Sequence, residues 1–379
     1  MVEIECLSGV RELQASQWNA LVGDASPFLE WEWLASLEEA GCVGGQTGWA
    51  PRPLVARENG RLVAAAPLYL KEHSEGEFVF DWGWAEAAER AGIAYYPKML
   101  VGVPFTPASG ARFLVAKGED RIAWSARLSA ALVELCRESE LSGVHVNFCR
   151  EDEIAPLREQ GFALRVGVQY HWRNAGYADF ADWLERFRSK RRNQIKRERR
   201  EVAEAGVAVE TFAGEAIPDA LFEPMFRFYL ATVRGRVWGR QYLNRRFFDL
   251  LRERYKHRLC FVVARVGDEP IAGTFNVQKG GTLWGRYWGA TREVRNLHFE
   301  VCYYAAVEHC ITNGLATFEP GAGGDYKQMR GFDGEPTWSL HWLAEPRLRD
   351  AVGRFLAEER ERTLGGIEWL REHSALKTS

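Results

Sequence analysis

The chain has 379 residues; at roughly 150 residues per domain this predicts two or three domains, and a hydrophobic content of 46% fills a core in each, which excludes disorder and a fibrous architecture. Lys and Arg number 49 against 52 Asp and Glu, a net charge of -3, so the surface as a whole is no polyanion-binding field and any nucleic-acid contact must be local. Seven cysteines without a CxxC pair suit reduced thiols in a cytoplasm, and the absence of a basic start with an apolar run, or of about 18 uncharged apolar residues in a row, predicts neither a standard export signal nor a membrane span.

In chain order, Ile4 to Leu7 reads as a strand, Ala15 to Val22 and Glu30 to Ala40 as helices, and Arg52 to Arg57 with Arg61 to Leu70 as a hairpin turned by Asn59-Gly60. Phe78 to Trp84 alternates aromatic and other residues and reads as a strand. Arg121 to Glu138 has helical spacing, Gly143 to Cys149 returns as a strand, Ile154 to Gln160 is a short helix stopped by Gly161, and Phe162 to Arg173 is extended. The second half begins with one long helix from Phe180 to Ala205, then a strand from Val207 to Phe212, and helices over Asp219 to Val233 and Arg245 to Tyr255. A meander comes next over Leu259 to Val266, Glu269 to Lys279 and Thr282 to Thr291, then a helix from Phe299 to Thr312, strands over Leu315 to Glu319 and Thr337 to Leu343, and an amphipathic tail helix from Pro346 to Leu370. The same order of elements thus occurs twice. The small polar break at Asn174-Ala175-Gly176 divides the chain into domains 1–174 and 175–379.

Five places could carry chemistry. From Arg186 to Arg200 the chain has nine Lys or Arg and one Glu, Glu198, a local net of +8. A run of charge is usually a solvated face, but Arg191 falls inside the apolar stripe Phe180, Leu184, Phe187, Ile195, Val202 and so needs a buried carboxylate, carbonyls or a bound phosphate. The face bearing Arg188, Arg192, Lys196 and Arg199 could meet tRNA phosphates. In the strand Thr282 to Thr291, strict alternation sets Trp284, Arg286 and Trp288 on one face, where two indoles can hold a guanidinium flat toward an anion or merely pack with it. His298 and Glu300 stand at a helix start after Asn296, suiting a hydrogen-bonding role there with general-base chemistry as the alternative for His298, and Tyr304 and Glu308 continue the row of Glu300. After Glu319 comes the Gly-rich run to Asp325, then Tyr326, Lys327 and Arg330, which can present N–H groups and positive charge to an anion. Asp81, a lone acid among aromatics, is either paired in the core or exposed, and with Tyr95, Tyr96 and Lys98 nearby it is expected on the wall of a cleft between the domains. No cluster has zinc-ligand spacing and no metal is expected.

The run GRYWGATREVRNLHFEVCYYAAVEHCITNGLATFEPGAGGDYKQMRGF, residues 285 to 332, with APLYLKEHSEGEFVFDWGWAEAAERAGIAYYPKML and VGVPFTP in the first half, resembles the FemAB-like branch of the GNAT acyltransferase superfamily. The resemblance is narrowest to bacterial proteins labelled peptidoglycan biosynthesis/recognition. It implies an α/β (α+β) fold of two tandem GNAT-like domains, each a mixed, mostly antiparallel sheet flanked by helices, with a cleft between them. It also implies transfer of an aminoacyl group from aminoacyl-tRNA onto an amine of a cell-wall precursor. In FemAB-like proteins a Phe-Lys pair followed by Phe-Gly lies beside the acyl donor; here Tyr326-Lys327 matches, while Arg330-Gly331-Phe332 reverses the second pair. Neither half carries the Arg/Gln-x-x-Gly-x-Gly/Ala stretch that grips the pyrophosphate of acetyl-CoA.

The expected activity is therefore N-acyl or N-aminoacyl transfer to a small-molecule or peptide-like amine. Lys327 or backbone N–H groups would stabilise the oxyanion, and an acid such as Glu319 or Asp81 would take the amine proton. No cofactor is expected to bind tightly. The alternatives are an acyl-CoA or carrier-protein thioester donor, and a non-catalytic module that binds a cell-wall precursor.

Overall fold

The computed structural model describes residues 1–235 and 240–377. The chain forms two compact units, Met1–Val168 with Pro336–Gly366, and Gln169–Glu335 with Ile367–Ser379. The chain passes between them near residue 168, close to the expected break at Asn174, and again within the strand Asp333–Leu343 and the helix Pro346–Glu372. The stretch 336–366, expected in the second half, therefore completes the first unit.

In the first unit, Val2–Cys6, Leu54–Glu58, Arg61–Ala66 and Leu114–Val115 form one antiparallel sheet. A second ladder runs Trp49–Pro51, Leu68–Lys71, Lys98–Val101, Gly143–Cys149 and residues 338–343, with Lys98–Val101 and Gly143–Cys149 parallel. The helix Arg121–Glu138 starts at Asp120, whose carboxylate accepts the N–H groups of Ile122 and Ala123 at 3.0 Å. It buries Trp124, Leu128 and Leu132 against Val63, Val144 and Val146, the apolar row that its spacing predicts.

The strand expected over Phe78 to Trp84 does not form. A helix, Trp82–Arg90, begins there instead, because the alanine-rich run behind Trp82 favours a helix more strongly than four alternating rings favour a strand. The side chain of Asp81 leaves the helix end uncapped.

In the second unit the strands lie in the order Ala208–Ala213, Leu259–Val266, Glu269–Lys279, Thr282–Ala290, Thr317–Glu319 and then the end of Ala163–Arg173. One face carries Phe261, Phe275 and Tyr287 under the helices Phe222–Arg234 and Arg245–Arg254. The other carries Val262, Ala264 and Ala272 under Val202, Leu297 and Val301. The expected long helix from Phe180 is two, Phe180–Glu185 and Ser189–Glu204. Phe187 between them leaves helical geometry to pair its backbone with Leu376. The helix Leu297–Phe299 runs through a π-helical turn, Glu300–Tyr304, into Ala305–Thr312, a local widening found often at functional sites.

Pairing of Glu269–Lys279 with Thr282–Ala290 corrects the expected alternation. Asn276 faces Gly285 and Phe275 faces Tyr287, so Arg286 is an extra, bulged residue. The bulge moves Tyr287 onto the face of Trp284 and sends Trp288 to the opposite one. The two indoles thus do not flank Arg286.

Seating of the helix Phe222–Arg234 depends on glycine at 289, where a Cβ would stand 1.8 Å from the carbonyl oxygen of Phe228. At Gly281 a Cβ would meet only Ala316, at 3.5 Å. Gly289→Ala is expected to destabilise the chain by about 3 kcal/mol and Gly281→Ala by less than about 0.5 kcal/mol, as read by urea unfolding of the full chain; equal effects would contradict this packing.

Candidate functional site

The site in the second unit is a fork. Thr282–Trp284 and Thr317–Glu319 pair in parallel over three residues, after which the strands part. Gly285 admits the outgoing chain, since a Cβ there would lie 3.2 Å from Pro320 Cα, and a Cβ at Gly321 would lie 3.1 Å from the Gly285 carbonyl oxygen. Glu319 ends its strand where the two separate. Burial pushes its carboxyl up from the ordinary value, opposed by His171, by Arg173 and by the Trp284 indole beside it, and its Oε2 is buried without a partner of good geometry among the described residues. Trp284 is its partner across the parallel ladder. Arg286 lies beside Tyr287, 5.4 Å from the ring centre, and burial lowers its pKa.

Beyond the fork the chain makes a tight turn, Asp325–Arg330, entered and left through glycines at φ 87 and 78. Lys327 is 2% exposed and its Nζ donates to the Gly321 carbonyl at 2.6 Å. Burial lowers this amine to about 8, with Cys302 acting the other way. Arg330 closes the turn from inside. Its Nη1 donates to the Tyr326 carbonyl at 3.2 Å, its Nε to the Tyr304 hydroxyl at 3.0 Å, and its Nη2 to both oxygens of Glu198 at 3.1 and 3.2 Å. The guanidinium also sits 3.4 Å from the Phe299 ring centre. The Tyr304 hydroxyl donates to Glu198 as well, from within the π-helical turn. Arg330 and Tyr304 therefore hold the Lys327 turn in place.

His298 lies among rings: Trp288 at 4.6 Å, Tyr303 at 5.4 Å and Tyr326 at 5.8 Å between centres. This puts His298 and Trp288 with the turn that carries Lys327. Trp284, Arg286 and Glu319 group at the fork instead.

The buried charge expected of the basic run belongs to another residue. Arg191 is half-buried and donates to Gln194 at 2.9 Å, and Gln194 donates to Glu198 at 2.7 Å. The helix break at Phe187 rotates the inward row to Ile195, Glu198 and Val202, so Glu198 is the inward charge and Arg330 its partner. Arg192 pairs with Glu185. Arg199 pairs with Glu300 and Glu308 at 3.0 and 2.7 Å. Arg188, Lys190 and Lys196 are exposed.

Asp81, Tyr96 and Lys98 come together in the first unit. Lys98, fully buried, donates to Asp81 at 2.5 Å, Glu77 at 2.9 Å and Ser74 at 2.9 Å; the Tyr95 hydroxyl donates to Asp81 at 2.7 Å, and Tyr96 hydrogen-bonds Ser74 at 2.8 Å. Burial works against the charge of Asp81, but Lys98 outweighs it and holds the carboxyl well below its usual range. Asp81 is accordingly a poor proton acceptor. Glu77 is pushed up to about 7 by burial, and Lys71, 3.9 Å from it, is lowered to about 7 for the same reason. His145 and His341 meet Nδ1 to Nδ1 at 2.7 Å with both pKa values lowered by burial, so one neutral ring donates to the other. Sequence reasoning missed Lys71 and Glu77, although both lie in a run that carries the family resemblance, and the two histidines, which lie in none.

Glu198→Ala leaves the Arg330 guanidinium buried without its counter-charge and is expected to cost about 3–5 kcal/mol. Lys196→Ala, on the exposed side of the same helix, should change stability by less than about 0.5 kcal/mol. Denaturant unfolding of both variants checks this, and near-equal midpoints would contradict the strut.

The FemAB-like family, described as peptidoglycan biosynthesis/recognition, matches residues 9–378. No curated protein matches the chain. Among solved structures the chain is similar to FemX, at 11% identity over 90% of this chain and 98% of that one, with a TM-score of 0.56. It is similar also to a conserved protein of unknown function from Bacteroides thetaiotaomicron VPI-5482, at 10% identity over 90% and 100% with a TM-score of 0.52. A third is L-PGS from Bacillus licheniformis, at 8% identity over 85% and 95% with a TM-score of 0.50. Likeness at these identities concerns the fold, which is mixed α/β. With the family matched over nearly the whole chain, the chain belongs to the FemAB-like family of peptidoglycan biosynthesis/recognition, whose members point to a transferase.

Proposed function

We propose that the protein transfers an aminoacyl group from aminoacyl-tRNA onto an amine of a cell-wall precursor or a similar peptide. The observation that carries this reading is the fork. A strand edge that loses its partner after three residues leaves backbone groups beyond Trp284 to be satisfied by something else, the Trp288 carbonyl by the Thr232 hydroxyl at 2.6 Å, and an extended acyl arm can pair along the part nearest the fork as a missing strand would. The ester carbonyl then lies beside the turn of Lys327. Of the three Nζ donors one is used by Gly321, leaving two for an oxyanion in a dry setting where such bonds count most. Glu319, with its pKa raised by burial, takes a proton from the attacking amine and hands it to the departing oxygen.

The choice of tRNA over a thioester rests on the stretch of chain beyond the fork. No glycine occurs from Ala290 to Asn313, so the segment entering the helix Leu297–Thr312 lacks the Gly-rich turn suited to a CoA pyrophosphate. Exposed Arg188, Lys190 and Lys196 offer a local contact for phosphates. One observation favours the thioester reading. Arg192 and Arg199 are already paired with carboxylates, which reduces the charge left for RNA.

The test incubates the full chain with a lysine-containing precursor pentapeptide and labelled aminoacyl-tRNA, labelled acetyl-CoA, or no donor. Label from aminoacyl-tRNA should enter the peptide; label only from acetyl-CoA overturns the donor, and label from neither overturns the activity. Lys327→Ala should lower the rate at least about 100-fold. Because the charged form of Lys327 is lost as pH rises through about 8, the wild-type rate should fall across that pH while Lys327→Arg stays flat. A rate rising through about 8 would make Lys327 a base instead.

A further inference from the structure

A second acid–base group lies at the fork, on residues outside every motif of the sequence. The strand Ala163–Arg173 pairs Arg173 with Thr317 and Trp172 with Phe318, so the next position of the ladder brings His171 opposite Glu319. Opposed residues of an antiparallel pair share a face, with Cβ atoms about 5 Å apart. Trp284, opposite Glu319 on its other side, shares that face too, and it is the face of Tyr287 under the helix Phe222–Arg234.

His171 is 6% exposed, and its Nδ1 meets Glu335 Oε2 at 3.0 Å. Glu335 also accepts from Arg173, Nε at 2.8 Å and Nη2 at 2.5 Å, while Arg173 Nη1 donates to the Thr317 hydroxyl at 2.8 Å. Burial works against the charge of Glu335, but the bonds from His171 and Arg173 hold its pKa at about 2. An ionised Glu335 can only accept, so Nδ1 carries the hydrogen and Nε2 of the neutral ring is a bare lone pair. That Nε2 is buried with no partner among the described residues, as is Glu319 Oε2. The Trp284 indole is the donor on the far side of Glu319, and one further donor, an amine, could serve both His171 Nε2 and the open Glu319 oxygen.

We propose that His171 is the general base of the transfer, held in its reactive tautomer by Glu335, with Glu319 receiving the acceptor amine beside it. This rests on the transfer reading above. The acceptor ammonium gives one proton to His171 Nε2, and the freed nitrogen bonds to the donor carbonyl carbon. Collapse breaks the bond from that carbon to the ester oxygen, while a second proton on nitrogen passes through Glu319 to the departing hydroxyl. His171 then returns its proton to solvent. The charged groups around His171 are Arg173 on its own strand, Glu335 on the strand Asp333–Leu343, Glu319 opposite, and Arg286 beyond Glu319 on the strand Thr282–Ala290.

His171→Asn keeps a donor for Glu335 and removes the base. With labelled aminoacyl-tRNA and the lysine-containing pentapeptide as probes, this variant should lose about 100-fold or more in kcat/KM. Donor KM and melting temperature should stay near wild type. A rate within threefold of wild type overturns the proposal. Should His171→Asn not fold, Glu335→Gln serves: it removes the carboxylate that fixes the Nδ1–H tautomer, so kcat/KM should fall at least about tenfold with donor KM unchanged, and a rate within threefold of wild type overturns the proposal. Wild-type chain that transfers from no donor defeats the transfer reading itself, and the base with it; active wild type with an equally active His171→Asn defeats the base alone.

Discussion

The second unit is organised by one constraint: two parallel strands must stay paired for three residues and then part. Parting leaves polar backbone exposed along an edge, and a fold cannot leave such groups buried and unanswered. The sequence meets the constraint in detail. Gly285 gives the outgoing chain room to turn away, a bulge at Arg286 re-aims the strand beyond the fork, and Gly289 lets a helix close on the far face. Glu319 stands where the strands separate, and the chain after it folds back into the turn of Lys327.

That turn is held by charge buried deep enough to demand a partner. Arg330 reaches Glu198, Tyr304 and the carbonyl of Tyr326 at once, so a helix of the surface and a π-helical turn fix the position of a Gly-rich loop that local geometry alone would leave loose. The first unit meets the same demand differently. Lys98 lies between Glu77 and Asp81, and the result is a carboxylate locked in its charged form. Similar residues thus tie a buried lysine in the first unit and hold a turn in the second.

Much of the fold was legible because periodicity dictated it. The helix Arg121–Glu138 and the strands Gly143–Cys149, Leu259–Val266 and Glu269–Lys279 have the bounds that their spacing predicts. Alternation failed where a local device altered the count: an extra residue at Arg286 reversed the face of Trp288, and the break at Phe187 turned the basic helix so that Glu198, not Arg191, points inward. Glu198 did leave a signal, as the lone acid in the basic run and three residues from Ile195 on the way to Val202. His171 left none. Its role comes from a strand register and from a carboxylate 164 residues away, neither of which spacing along the chain can express.

The central claim is that the donor lies in the fork. Hydrogen–deuterium exchange of the full chain with and without an aminoacyl-tRNA analogue, its ester replaced by a stable amide, tests this directly. The account predicts slowed exchange at the amides of 285–290 and of 321–331, with the helix Arg121–Glu138 unchanged. Protection confined to the first unit, or none at a saturating concentration of the analogue, would contradict it.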